Sequence, residues 1–214
     1  MNSGNATAVL RSYAKVNLTL DVLGTRPDGY HAIESVMQSI SLHDTITVEV
    51  GGAPGIRVEC DMPGIPTDER NLAHKAAAMF FEDLCTTPKV DIRIEKRIPP
   101  EAGLGGGSSN AAAALRGLSD LLGLSVSHEE LCDLAAQVGS DVPFFLTGGA
   151  AFVRGRGEDV QPLPDIRPWW LVVVKPPFGV STAWTYRRLD EMRSAVSRRP
   201  SANNSRILCV CLSV

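Results

Sequence analysis

No run of apolar residues in this 214-residue sequence is long enough to span a bilayer. The longest, Trp169 to Val174, falls far short of the roughly 18–20 residues that a transmembrane helix needs. The opening stretch, MNSGNATAVLRSYAK, lacks the charged region and long apolar core of a secretory leader. Basic charge is not in excess either. With 21 Lys and Arg against 24 Asp and Glu, the net charge is −3 and the isoelectric point about 5.8, so no overall field draws the chain to nucleic acid or to a membrane surface. The cysteines number five (Cys60, Cys85, Cys132, Cys209 and Cys211) and have no paired spacing. An odd, scattered set argues against a disulfide framework. Cys209-x-Cys211 is too tight for half a zinc site, and no His/Cys pair follows it. These absences predict a cytoplasmic protein that binds neither nucleic acid nor membrane, and they carry no signal for an oligomeric state.

What remains is globular: 44% hydrophobic and 21% charged residues exclude wholesale disorder and a coiled coil. Val16, Leu18, Leu20 and Val22 alternate with polar residues, as do Ile46, Val48 and Val50, and then Val90, Ile92 and Ile94, each a half-buried strand by period. Arg26-Pro27-Asp28-Gly29 is a turn. Asn71 caps a helix whose face is Leu72, Ala76, Met79 and Phe80. An alanine-rich helix is predicted from Ser108 to about Leu122, and a Ser127/Glu130 capping box opens another over about 128–138. Short strands are expected at 150–153 and 171–174, and a last helix from about Ser181 to Met192. This order suits an α+β fold.

Between a strand and a helix lies Gly103-Leu104-Gly105-Gly106-Gly107-Ser108-Ser109-Asn110. Glycines let backbone N–H groups approach an oxyanion with no Cβ in the way, and the helix start adds unpaired donors and the positive end of its dipole. No Gly-Lys-Ser/Thr closes the loop, and Ser108 stands where a dinucleotide fingerprint needs its third glycine.

Pro99 to Ser109 resembles the nucleotide loop of the GHMP kinase superfamily, Pro-x-x-x-Gly-Leu-Gly-(Gly)-Ser-Ser, with one more glycine. Ala14-Lys15-Val16-Asn17-Leu18, Arg26-Pro27-Asp28-Gly29-Tyr30-His31 and Gly139-Ser140-Asp141-Val142-Pro143-Phe144-Phe145 narrow the resemblance to the branch that phosphorylates a cytidine-diphosphate-linked methylerythritol in non-mevalonate isoprenoid synthesis. The match runs from about Ser12 to Asp190, and Glu101 departs from it by adding negative charge beside the loop.

The resemblance implies the N-terminal domain of a GHMP kinase (the ribosomal S5 domain 2-like fold) over 8–175 and ATP with Mg2+ as cofactors. It makes Asp141 the general base and Lys15 its cationic neighbour, placed to polarise the acceptor hydroxyl. The loop, Gly103 to Asn110, would hold phosphates, with Asn71 and Lys96 approaching the adenine. Asn17 would hydrogen-bond the substrate. Tyr30 would stack on the cytosine, His31 would read its polar edge, and Tyr186 would supply the opposite stacking face. No acidic cluster identifies magnesium ligands, and Ser109 is the candidate hydroxyl. The superfamily continues into a second, glycine-containing domain, of which 176–192 would be the start, while 193–214 lacks periodicity and reads as foreign to it. Other outcomes are a GHMP kinase for a different small alcohol, or an inactive nucleotide-binding remnant. An RNA-binding module of similar topology is disfavoured by the acidic balance.

Overall fold

The structure, a computed structural model, describes residues 6–176, 179 and 182–197. Three strands come first: β1 (Ala6–Thr25), β2 (His31–Val50) and β3 (Gly55–Cys60). Then follow α1 (Leu72–Asp83), β4 (Lys89–Glu95), α2 (Gly106–Leu121), α3 (His128–Val138), α4 (Val142–Thr147), β5 (Ala150–Gly155), β6 (Asp159–Leu163) and α5 (Thr182–Ser197). The fold is α+β.

β2 organises the sheet. Strand order is β3-β4-β2-β5-β6, with β1 paired to β2 outside that path. β1 runs antiparallel along the whole of one edge of β2, while β4 and β5 take successive halves of the other edge. The connection β3–α1–β4 makes the one parallel pair among the described strands. Three register breaks interrupt the β1–β2 ladder, between Tyr13 and Lys15, Asn17 and Thr19, and Val22 and Gly24. Such bulges re-aim side chains, and here they flank Lys15 and Asn17.

The alternation holds in the predicted stretches of β2 and β4, whose apolar positions are buried, but in β1 Val16, Leu18, Leu20 and Val22 are only half-buried, as are Asn17, Thr19 and Asp21 between them. Ile46, Val48, Val90, Ile92 and Ile94 form one core with Phe80 and Phe81 of α1, Ala111 to Leu115 of α2, and Leu131, Ala135 and Val138 of α3. The four consecutive buried alanines let α2 lie close on the sheet, where it packs against β1 and β2.

The structure differs from the sequence expectations at five places. α2 begins two residues before Ser108, at Gly106, because Gly105 caps it in the left-handed region at φ +71°. α4, six residues with Pro143 in its first turn, is too short to show a period. β6 contains Pro162 and pairs only with β5, so it is an edge strand that its composition conceals. Residues 171–174, expected as a strand, have no regular structure, and Trp170 and Val172 are fully or largely exposed. β-branched composition makes a strand only where an edge and an apolar surface receive it. α5 extends to Ser197, past the expected end, while Ser181 and 198–214 lie outside the described residues.

The capping box at α3 is complete: Ser127 Oγ accepts from the Glu130 N–H at 3.2 Å and Glu130 Oε2 accepts from the Ser127 N–H at 2.7 Å. The hydroxyl and backbone N–H of Ser127 hold the Glu130 carboxyl below its usual range. Ser127→Ala is expected to lower stability by about 1 kcal/mol, read from urea midpoints at neutral pH. A carboxyl depressed by folding contributes above its unfolded pKa and loses that contribution as pH falls through the folded one. The gap between the variant and the parent should therefore narrow below the ordinary carboxylate range.

Candidate active site

Lys15 sits between two bulges on β1 and is buried, 4% exposed. Its backbone N–H donates to the Leu104 carbonyl at 3.0 Å, which fastens β1 to the glycine loop. Its ammonium lies 3.7 Å from Asp141 Oδ2 and donates to Asn17 Oδ1 at 3.3 Å. Asp141 ends the turn between α3 and α4. Its carboxylate makes no capping bond to α4 and is one-third exposed. Asn17 Oδ1 also receives Ser35 Oγ at 3.3 Å, so the amide oxygen is held from inside the chain. Lys15, Asn17 and Asp141 are therefore one cluster built from two distant segments.

The loop meets this cluster at Gly105. A Cβ there would overlap the Phe145 ring and come 3.3 Å from Lys15 Cγ, and φ is +71°, so both space and backbone require glycine. α2 has no side-chain cap, and its first intrahelical bond is donated by Ser109 N–H to the Gly105 carbonyl. The N–H groups of Gly106, Gly107 and Ser108 are thus the unpaired donors of a sixteen-residue helix, and these residues are not buried.

The remaining loop residues divide differently from the expectation. Leu104, Ser109 and Asn110 are buried, unlike Gly106 to Ser108. Leu104 packs with Ala14, Ile98 and Ala102. Ser109 Oγ, the candidate magnesium hydroxyl, receives Ser12 Oγ at 2.8 Å. Asn110 Nδ2 donates to Ser12 Oγ at 2.8 Å and to Asp44 Oδ2 at 2.9 Å. Asp44 has no exposed surface. Besides Asn110, it accepts from Lys96 Nζ at 2.5 Å and from the N–H groups of Arg97 and Ile98 at 2.7 and 2.8 Å. Lys96 is accordingly a buried, paired cation beneath Gly106, whose added Cβ would stand 3.1 Å from the ammonium. The sequence offered no pattern for Asp44, a single acid within a strand alternation.

Asn71 caps α1, as its position predicted: Oδ1 accepts from Ala73 N–H at 2.9 Å while Nδ2 donates to the Pro66 carbonyl at 2.7 Å. Both ends of its amide are engaged within the chain.

At the far end of β1 and β2, Tyr30 follows the Arg26–Gly29 turn and is 53% exposed. The Tyr30 N–H and the Arg26 guanidinium hold the Asp28 carboxyl below its usual range. His31 and Tyr186 were expected as separate contacts to a base, but they stack on each other, 4.6 Å between centroids and 14° between planes. His31 Nε2 lies 3.0 Å from both oxygens of Asp190. Arg193 Nη2 donates to the Val22 carbonyl at 2.6 Å. α5 is therefore pinned to this end of the hairpin, and Tyr186 faces His31 rather than a gap opposite Tyr30. Among the described residues no group of three or more His, Cys, Asp or Glu forms a metal site, and no helix is long and apolar enough to cross a membrane.

Residues 71–149 match the family model described as the GHMP kinases N terminal domain. A 4-diphosphocytidyl-2-C-methyl-D-erythritol kinase of Clostridium tetani is 41% identical over 207 residues, an alignment covering 94% of this chain and 74% of that protein. The chain belongs to the 4-diphosphocytidyl-2-C-methyl-D-erythritol kinase family. The member from Acetivibrio thermocellus is 46% identical over 191 residues, covering 89% of this chain and 66% of its own length. The chain thus spans about two thirds of the length of the curated relatives it matches. A crystal structure of a 4-(cytidine 5'-diphospho)-2C-methyl-D-erythritol kinase superposes with a TM-score of 0.67 at 37% identity, over 84% of this chain and 63% of that one. The matched GHMP kinase region holds Asn71, Lys96, the glycine loop and Asp141. Lys15, Asn17, Tyr30 and His31 precede it and Tyr186 follows.

In this member of the family, removing the Asp44 carboxylate would leave Lys96 buried without a counter-ion and two N–H groups unpaired. Asp44→Ala is expected to cost about 3–5 kcal/mol in urea unfolding, and Asp44→Ala with Lys96→Met to recover part of it. A loss under about 1 kcal/mol would contradict the network's importance.

Proposed function

We propose that this chain is the catalytic lobe of an ATP-dependent kinase that phosphorylates the 2-hydroxyl of 4-diphosphocytidyl-2-C-methyl-D-erythritol. The observation that carries this reading is the approach of Lys15 and Asp141, 3.7 Å apart, beside the unpaired amides that follow Gly105. Phosphoryl transfer asks for that combination: donors for a polyphosphate, a cation near the moving charge and a base for the hydroxyl proton.

The residues present fit a nucleotide polyphosphate. Gly105 packs on Phe145 with no room for a Cβ, Gly106 packs tightly on Ile98 and Lys96, and the half-exposed helix-start residues 106–108 have no intrahelical acceptor for their amides. Asp141 accepts the proton as the acceptor oxygen attacks the γ-phosphorus. The bond to the β–γ bridging oxygen breaks, and ADP leaves with the electron pair. Lys15 holds the acceptor oxygen and the carboxylate in register. Mg2+ would neutralise charge on the polyphosphate when bound, and no side chain is assigned to it. Tyr30 offers exposed ring surface for the cytosine, with the His31–Tyr186 pair beside it. A cytoplasmic location and a free, small-molecule substrate belong to this reading.

ADP release measured with 4-diphosphocytidyl-2-C-methyl-D-erythritol, mevalonate and homoserine tests the assignment. Turnover is expected with the first alone, and Asp141→Asn should lower kcat about 10²–10⁴-fold while nucleotide affinity holds. Turnover of mevalonate or homoserine only would refute the substrate. An Asp141→Asn variant as active as the parent would refute the base.

A further inference from the structure

The turn between β5 and β6, Gly155-Arg156-Gly157-Glu158, belongs to none of the motifs above, yet it touches the acceptor side at three points. The Arg156 guanidinium lies 5.3 Å from the centroid of the Tyr30 ring, and its Nη2 donates to the Ala136 carbonyl in the last turn of α3 at 3.1 Å. Gly157 is buried against the turn that carries Asp141: a Cβ there would stand 3.0 Å from the Ser140 carbonyl oxygen and 3.3 Å from Asp141 Oδ1. Glu158 reaches back to the turn after β1, with Oε1 3.6 Å from Arg26 Nη1, while its Oε2 accepts from the Arg156 N–H at 2.6 Å. Three consecutive residues thus bridge Tyr30 and Asp141.

The two arginines at this end are not equivalent. Arg26 is neutralised by Asp28 at 3.1 Å and Glu158 at 3.6 Å. Arg156 is held by a carbonyl and by an aromatic ring, both uncharged, and takes part in none of the ion pairs among the described residues. One of its five N–H donors is used on Ala136, which leaves most of the fork available. Arg156 is therefore an oriented cation with no ion pair among the described residues, its charge felt only at longer range by Asp28, on the path between the exposed aromatic and the carboxylate.

We propose that Arg156 recognises the diphosphate of the acceptor substrate. This rests on the reading of Tyr30 as the nucleoside end of the site and of Asp141 as the base beside the alcohol. A substrate with its base at one and its hydroxyl at the other must carry its diphosphate across the turn that joins them. A guanidinium binds such oxygens through paired, charge-assisted bonds that an ammonium cannot reproduce.

Calorimetric titration of the 214-residue protein with CDP and with cytidine tests this, using Arg156→Ala and Arg156→Lys. Arg156→Ala should weaken CDP about tenfold or more and cytidine less than about twofold, with Arg156→Lys between the parent and Ala for CDP. Because Arg156 also caps α3, the alanine variant is expected to melt earlier. That would change the fraction of competent sites, not the ratio of the two dissociation constants. Equal losses for CDP and cytidine would reduce Arg156 to a prop for Tyr30 and overturn the proposal, as would unchanged CDP binding. A parent protein that binds neither ligand would instead overturn the acceptor-site reading, and the inference with it.

Discussion

One buried carboxylate joins the elements on which the site depends. Asp44, with no exposed surface, accepts four hydrogen bonds: from Lys96, from Asn110 and from the backbone of Arg97 and Ile98. Through them β2 is tied to the end of β4 and to the first turn of α2, and through Asn110 and Ser12 to β1. A buried ionised group is tolerable only when paired and fully hydrogen-bonded, so these partners have little freedom to rearrange separately. The glycine loop would otherwise be an exposed segment with few side chains to fix it. Here its unpaired amides rest on a polar layer whose geometry is set from beneath.

The second half of the site is set by close approach rather than by charge. The Lys15 backbone bonds Leu104, and the absence of a side chain at Gly105 lets the loop sit against Phe145, four residues after Asp141. Loop, lysine and carboxylate therefore share one contact region, although they come from three parts of the chain. The β5–β6 turn completes the arrangement from the other side, with Gly157 against the Asp141 turn and Arg156 extending toward Tyr30. The geometry of the candidate site is a consequence of packing small residues at points where backbones must touch.

Much of this was legible in the residues themselves. Period-two alternation located β1, β2 and β4, and the caps at Asn71 and Ser127 are where side-chain chemistry places them. The loop was recognisable because glycine excess has a direct physical meaning, and Lys15 with Asp141 because their motifs resemble a known family. What stayed hidden depends on partners far away in sequence. Asp44 meets Lys96 and Asn110 across separations of 52 and 66 residues, and no local pattern announces that. Loop composition could not separate Gly106–Ser108, whose amides have no intrahelical acceptor, from Ser109 and Asn110, which are buried, because that division follows the helical rotation once α2 starts at Gly106. His31 and Tyr186 were both expected as site residues, yet their mutual stacking depends on how α5 docks, a long-range choice. The strand expected at 171–174 failed for the same reason in reverse, since composition alone supplies no neighbour.

The central claim is that the amides of Gly106, Gly107 and Ser108 receive the polyphosphate while Lys15 stands beside them. Titrating a non-hydrolysable ATP analogue into ¹⁵N-labelled protein, followed by amide and lysine-ammonium NMR, addresses it directly. The account predicts that the largest shifts fall on those three amides and on the Lys15 ammonium. A cleft of about 640 Å³ between β1, α2 and α4, lined by Ser12, Arg116 and Phe145, offers the alternative place for a ligand. Shifts concentrated around Arg116 and the first half of β1, with the loop amides unmoved, would contradict the account.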